Sequence, residues 1–114
     1  MNTKEMRELD AWIAGHVMGL KRVTFNTFWN SGLGAWECQG PTGMQSVHHY
    51  TTDPAAAMKV LEKCAESAQL TICIGKTEGG FKLWLPNRFD SAIEAPTLPL
   101  AICLFARKLF DTKP

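Results

Sequence analysis

At 114 residues, with 12 basic against 11 acidic side chains and a formal charge of +1, the chain has room for one modest core and not for two. That near balance excludes a general phosphate-backbone binder, which concentrates a basic surplus on one face. No apolar run approaches the roughly 18 residues of a membrane-spanning helix, and the four cysteines stand at wide spacings with no C-x-x-C pair, which leaves out a zinc ribbon and a thioredoxin-type dithiol.

The N-terminal residues Asn2, Thr3, Lys4 and Glu5 are polar where a signal peptide needs an apolar run, so a soluble protein of a reducing cytoplasm is expected. Thr3 is positioned to cap a first helix running to about Met18, with Met6, Leu9, Ile13 and Val17 near one face and Gly19 as its stop. Trp12 and His16, four residues apart, are neighbours on that helix, where they either complete a core contact or border a groove. From Lys21 to about Trp29, Val23, Phe25 and Thr27 alternate with Arg22, Thr24, Asn26 and Phe28, a strand pattern rich in β-branched and aromatic residues. Asn30 to Ser46 follows neither period and is broken by glycine and proline. It reads as a long functional loop with a short local hairpin around Ala35 to Gln39.

Val47 to Cys64 is the organising stretch. Asp53 suits an N-cap and Pro54 the first helical position, and Ala57, Val60, Leu61, Cys64 and Ala68 then recur on one stripe. Leu70, Ile72 and Ile74 next form a strand. A turn over Lys76 to Gly80 leads into the alternation of Phe81, Leu83 and Leu85 with Lys82 and Trp84, so the pair makes a hairpin. Phe89 to Glu94 supplies a short edge strand. Thr97 opens the last helix, whose Leu98, Ile102, Phe105 and Leu109 share a side broadened by Ala101 and Leu104, with Arg107 and Lys108 suiting its C-terminal dipole.

Three amphipathic helices and a small, mainly antiparallel sheet of three or four strands imply an α+β fold in a single domain over residues 1–114. Phe28, Cys73 and Trp84 on the second faces of the strands point to helices on both sides, a three-layer α-β-α sandwich.

Leu9-Asp10-Ala11-Trp12-Ile13-Ala14 with His16-Val17-Met18-Gly19, Tyr50-Thr51-Thr52-Asp53 with Ala55-Ala56-Ala57, and the run from Ala95 to Cys103 resemble the three sequence blocks of the phage ABA sandwich domain family. The blocks fall in the family's order and cover both ends and the middle of the chain, whereas Phe28 to Val47 matches none. The resemblance implies a context and no catalytic motif: a small non-virion phage accessory in the cytoplasm of the infected bacterium, of the kind that blunts a host system. Oligomeric sponges for nucleotide immune signals share that size and context.

The chemistry legible in the residues is that of a binder. No G-x-S-x-G, H-E-x-x-H, P-loop or paired-carboxylate motif occurs, and adjacent His48 and His49 on an extended segment point to opposite faces, so the two cannot simply chelate one metal. We therefore expect neither catalysis nor a metal nor a cofactor. Trp29, Trp36 and Tyr50 offer faces for base stacking, and His48, His49 and Arg88 offer polar contacts beside the start of the central helix, where the dipole favours an anion. The expected function is non-catalytic sequestration of a small, nucleotide-type ligand by a homo-oligomer. The alternative is a protein-interaction module that inhibits a host protein and takes no small ligand, with the aromatic loop as its hot-spot surface.

Overall fold

The computed structural model describes residues 2–26, 35–68, 71–86 and 88–111. Helix α1 (Thr3–His16) is capped one residue earlier than expected, by Asn2. The Asn2 side chain accepts the Glu5 N–H at 2.8 Å, and the Glu5 carboxylate accepts the Asn2 N–H at 3.3 Å. This reciprocal capping box satisfies two orphan donors at once, which a threonine at position 3 would not do. At the other end the N–H groups of Val17 and Met18 share the Ile13 carbonyl, and Leu20 reaches back to Ala14 at 2.9 Å. The widened last turn closes the helix two residues short of Met18, and Gly19 turns the chain at φ 70°. Arg22 also holds a positive φ, 55°, in a connection fixed by a 2.8 Å hydrogen bond from the Gln39 N–H to the Lys21 carbonyl.

Part of the expected long loop is regular. Strands β1 (Thr24–Asn26), β2 (Ala35–Gly40) and β3 (Gly43–Ser46) form an antiparallel sheet in the order β1-β2-β3, so the short hairpin foreseen around Ala35 to Gln39 extends to Ser46. Gly40 pairs with Gly43 across a two-residue turn at Pro41 and Thr42, where proline presets the first turn dihedral. The residues after Asn26 in the expected first strand, and the loop before Ala35, lie outside the described residues.

Helix α2 (Pro54–Ala68) begins as its sequence indicates, with the Asp53 carboxylate accepting the Ala55 N–H at 3.0 Å and Pro54 in the first position. Strands β4 (Cys73–Thr77), β5 (Gly80–Leu85) and β6 (Arg88–Ala95) make a second antiparallel sheet, ordered β4-β5-β6. Gly80 is required there: a Cβ at this position would fall on the carbonyl oxygen of Ala95 in the neighbouring strand. Helix α3 (Leu98–Phe110) starts at Thr97, whose hydroxyl accepts the Leu100 N–H at 3.4 Å.

The architecture is α+β, and the described residues form three helices with two small antiparallel sheets, the strands dividing three and three between the sheets where one sheet of three or four was expected. Helix α3 is the hub. It packs on α1 and α2 and also on β5 and β6, while α1 packs on β2 of the first sheet. Leu100, Ala101, Ile102, Cys103, Phe105 and Ala106 are all buried, a nearly complete apolar circumference suited to a helix with neighbours on several sides. Leu9, Ile13, Val47, Val60 and Leu83 complete the largest fully buried side chains of the core. Cys38, Cys64 and Cys103 lie within it as small hydrophobes. Burial pushes the Cys64 thiol up to about 12 and raises that of Cys103 as well, which disfavours the reactive thiolate. No helix among the described residues is long and apolar enough to cross a membrane.

Candidate functional site

The segment that carries His48 and Tyr50 is clamped to α1 by an ion pair between the half-buried Arg7 and the buried Asp10. Asp10 has 0% relative exposure although it follows Leu9 on the apolar face of the helix. One of its oxygens accepts Arg7 Nη1 at 2.7 Å, and the other accepts the Thr51 backbone N–H at 2.8 Å. The Arg7 guanidinium also donates Nη2 to the Val47 carbonyl at 2.9 Å and Nη1 to the His48 carbonyl at 3.3 Å. A planar fork bonding one carboxylate and two carbonyls fixes a segment more firmly than a lone ammonium can. Two further bonds, from the Thr52 and Asp53 N–H groups to the His49 carbonyl at 3.1 and 2.8 Å, close the turn into α2. The Thr51 hydroxyl is buried beside this clamp without a hydrogen-bond partner among the described residues.

What the clamp positions is one wall of a cavity of about 330 Å³, lined by Met18, Leu20, Gln45, His48, Tyr50, Asp53, Ala55, Ala56 and Lys59. His48 and Tyr50 meet edge to face, ring centroids 5.7 Å apart at 69°. Tyr50 is 2% exposed and backs the cavity from within the core. Its phenol is pushed up to about 12, first by burial and then by the fields of Cys38, Asp10 and Cys103, so it stays a neutral hydrogen-bonding group at any physiological pH. The start of α2 is largely self-capped, since Pro54 has no N–H and Asp53 takes that of Ala55. Among the described residues the cationic side chain on the cavity lining is accordingly Lys59, and the helix dipole adds less.

The expected site residues are not all in one place. His48 and Tyr50 come together in this cavity, while His49, exposed on the adjacent turn, lines neither this cavity nor the groove described next. Trp36 belongs to a separate groove of about 470 Å³, bounded by Glu8, Ala11, Trp12, Gly15, His16, Val23 and Trp36. There Trp12 and His16 stack with centroids 4.4 Å apart at 8°, and Phe25 meets Trp36 edge to face at 5.3 Å. Trp29 lies outside the described residues. The Arg88 backbone pairs with Leu85 in the second sheet, and its side chain lies outside the described residues. Among the described residues no group of three or more His, Cys, Asp or Glu side chains is placed to hold a metal ion.

Arg7, Asp10, Gln45 and Lys59 were not legible as site residues. The available signal was Asp10 itself, an acid inside an apolar stripe with a base three residues earlier. Two of the blocks that carried the family resemblance, Leu9 to Ala14 and Tyr50 to Asp53, are the two segments joined by the Asp10 to Thr51 hydrogen bond.

No curated protein matches the sequence. Among solved structures, the chain is similar over 100% of its length, and over 94% of the other chain, to a phage protein from Bacillus cereus ATCC 14579, with a TM-score of 0.69 and 17% identity, a likeness of fold. The family model described as the phage ABA sandwich domain matches residues 11–106, and with three helices, small antiparallel sheets and both clamped sequence blocks in place, the chain belongs to that family.

Proposed function

We propose that this phage protein binds a small, planar, sparsely charged ligand of nucleotide type without turning it over, and acts by sequestering it in the cytoplasm of the infected cell. The observation that carries the reading is the composition of the cavity beside α2. Met18 and Leu20, backed by the buried Ala56 and Tyr50, offer apolar surface for a base, while Gln45, His48 and Lys59 offer directional polar contacts at its edge. Its volume of about 330 Å³ lies at the lower end of the range for ligand sites, about 300–1,000 Å³. With Asp53 also on its lining, the cavity suits a ligand with one or two negative charges better than a polyphosphate. Raised thiols at Cys64 and Cys103 support binding over covalent chemistry at those residues. In a homo-oligomer, each protomer would bring such a cavity.

Titration calorimetry against cyclic dinucleotides, cyclic trinucleotides and cyclic ADP-ribose isomers tests this. Saturable binding is expected, with intact ligand recovered on heating and weaker binding in Lys59→Ala and His48→Ala. Silence across the panel, or affinity unchanged in both variants, refutes it. A second reading, an interaction module directed at a host protein, is favoured by one observation: Phe25 stands 49% exposed beside the groove that holds Trp36.

A further inference from the structure

The groove between α1 and the first sheet is not part of the ligand cavity, and its lining has a single chemical bias. Two indoles, Trp12 and Trp36, line it, and their π faces are electron-rich. Glu8, exposed on α1, adds a carboxylate one helical turn before Trp12. His16 stacks on Trp12, and its Nδ1 lies 3.1 Å from the Trp12 carbonyl oxygen, a bond in which the nitrogen must donate. In the neutral ring that leaves Nε2 as an acceptor. Among the described residues no lysine or arginine lines the groove. Among the described lining residues, the Glu8 carboxylate and the Nε2 of the tautomer that donates from Nδ1 both seek a donor or a positive charge, and the small residues Ala11 and Gly15 leave room between its walls.

We propose that this groove docks an arginine side chain of a partner polypeptide. A guanidinium is planar, stacks on aromatic faces and donates in a fork, which matches two indoles, a carboxylate and an imidazole acceptor. The polypeptide source follows from Phe25. Half exposed and edge-on to Trp36, it continues the aromatic wall past the groove, where residues flanking an arginine would cover it and a small free cation would not.

The test is a tryptophan-fluorescence and calorimetric titration of the full chain with a capped tripeptide, arginine between two leucines, and with the same peptide carrying citrulline, which keeps the shape and removes the charge. The arginine peptide is expected to bind about tenfold more tightly, the scale of a partly desolvated cation–π contact. Glu8→Lys is expected to abolish the preference, with an unchanged circular-dichroism spectrum and unchanged binding in the cavity beside α2. Phe25→Ser is expected to weaken both peptides. No saturation at millimolar peptide, equal binding of the two peptides, or a preference that survives Glu8→Lys overturns the proposal. So does methylguanidinium binding as tightly as the peptide, which marks a small-cation site, or a dimer in sedimentation that Phe25→Ser dissociates, which marks a contact between copies.

Discussion

Replacing Asp10 by alanine tests whether the clamp between α1 and the segment from Val47 to Thr51 is what holds that segment. The change removes the acceptor of two hydrogen bonds, at 2.7 Å to Arg7 and 2.8 Å to the Thr51 N–H, from a side chain only 1% exposed. Breaking one side of a buried ion pair costs about 3–5 kcal/mol. The Arg7 side chain is 22% exposed and keeps the carbonyls of Val47 and His48, so the cost falls at the lower end, about 3 kcal/mol. Against the roughly 5–15 kcal/mol that stabilises a domain of this size, that is a large fraction. Asp10→Asn preserves an acceptor for Thr51 and loses only the charge-assisted part, about 1.5–2 kcal/mol. Arg7→Met is the most damaging, because it strands the deeper of the two charges. Urea unfolding followed by circular dichroism should therefore rank the losses as Arg7→Met, Asp10→Ala, Asp10→Asn, and hydrogen exchange at the Thr51 amide should accelerate in Asp10→Ala. A loss under about 1 kcal/mol in Asp10→Ala, far below the range for a broken buried pair, or an unchanged Thr51 exchange rate, refutes the assignment.

Stability should fall in alkali. Tyr50 is raised from 10.0 to about 12 and Cys64 from 9.0 to about 12, so between those values the unfolded chain releases protons that the folded chain keeps. The contribution is complete below the unfolded values and lost as pH rises through the folded ones. Melting temperatures should thus decline from about pH 9 towards pH 12, with a shallower decline in Tyr50→Phe, and a flat profile across that window contradicts the burial of these groups. Gly80→Ala should destabilise by about 1–3 kcal/mol through overpacking against Ala95, measured by urea unfolding, although glycine to alanine commonly stabilises where the backbone permits it. A neutral or stabilising result would show that β6 can move aside.

Local signals in the sequence anticipated much of the fold, because most of its elements announce their own ends. Asp53-Pro54, Thr97 with Pro99, and Gly19 each solve a terminus by side-chain or backbone chemistry within a few residues, so the helices lie close to where those residues indicate. The strands after Gly34 were harder to read for a physical reason. In β2 only Cys38 is fully buried, and β3 has no buried residue, so neither shows the apolar alternation that marks a half-buried strand. The division into two sheets was hidden for a similar cause. Pairing is a long-range property, and α3, apolar around most of its circumference, gives no sign from its own pattern of which neighbours it has. The clamp escaped because a buried acid contradicts ordinary residue preference, and its partners, Val47 to Thr51, stand some 40 positions away.

The first sheet explains why the expected aromatic and histidine residues separate into two recesses. Phe25 pairs with Trp36, Cys38 pairs with Gln45, and Trp36 and Cys38 are two apart on β2, so all four share one face. Cys38 is fully buried at the middle of this row, where α1 packs on the sheet. Trp36 and Phe25 emerge on one side of that covered centre, beside the α1 groove, and Gln45 emerges on the other, in the cavity beside α2. A substitution at the groove therefore meets the cavity only through packed core. The arginine-docking and ligand-binding activities should consequently be separable by surface mutations such as Glu8→Lys and Lys59→Ala, whereas Asp10, buried between α1 and the His48 turn, is the position whose loss would disturb the cavity from a distance.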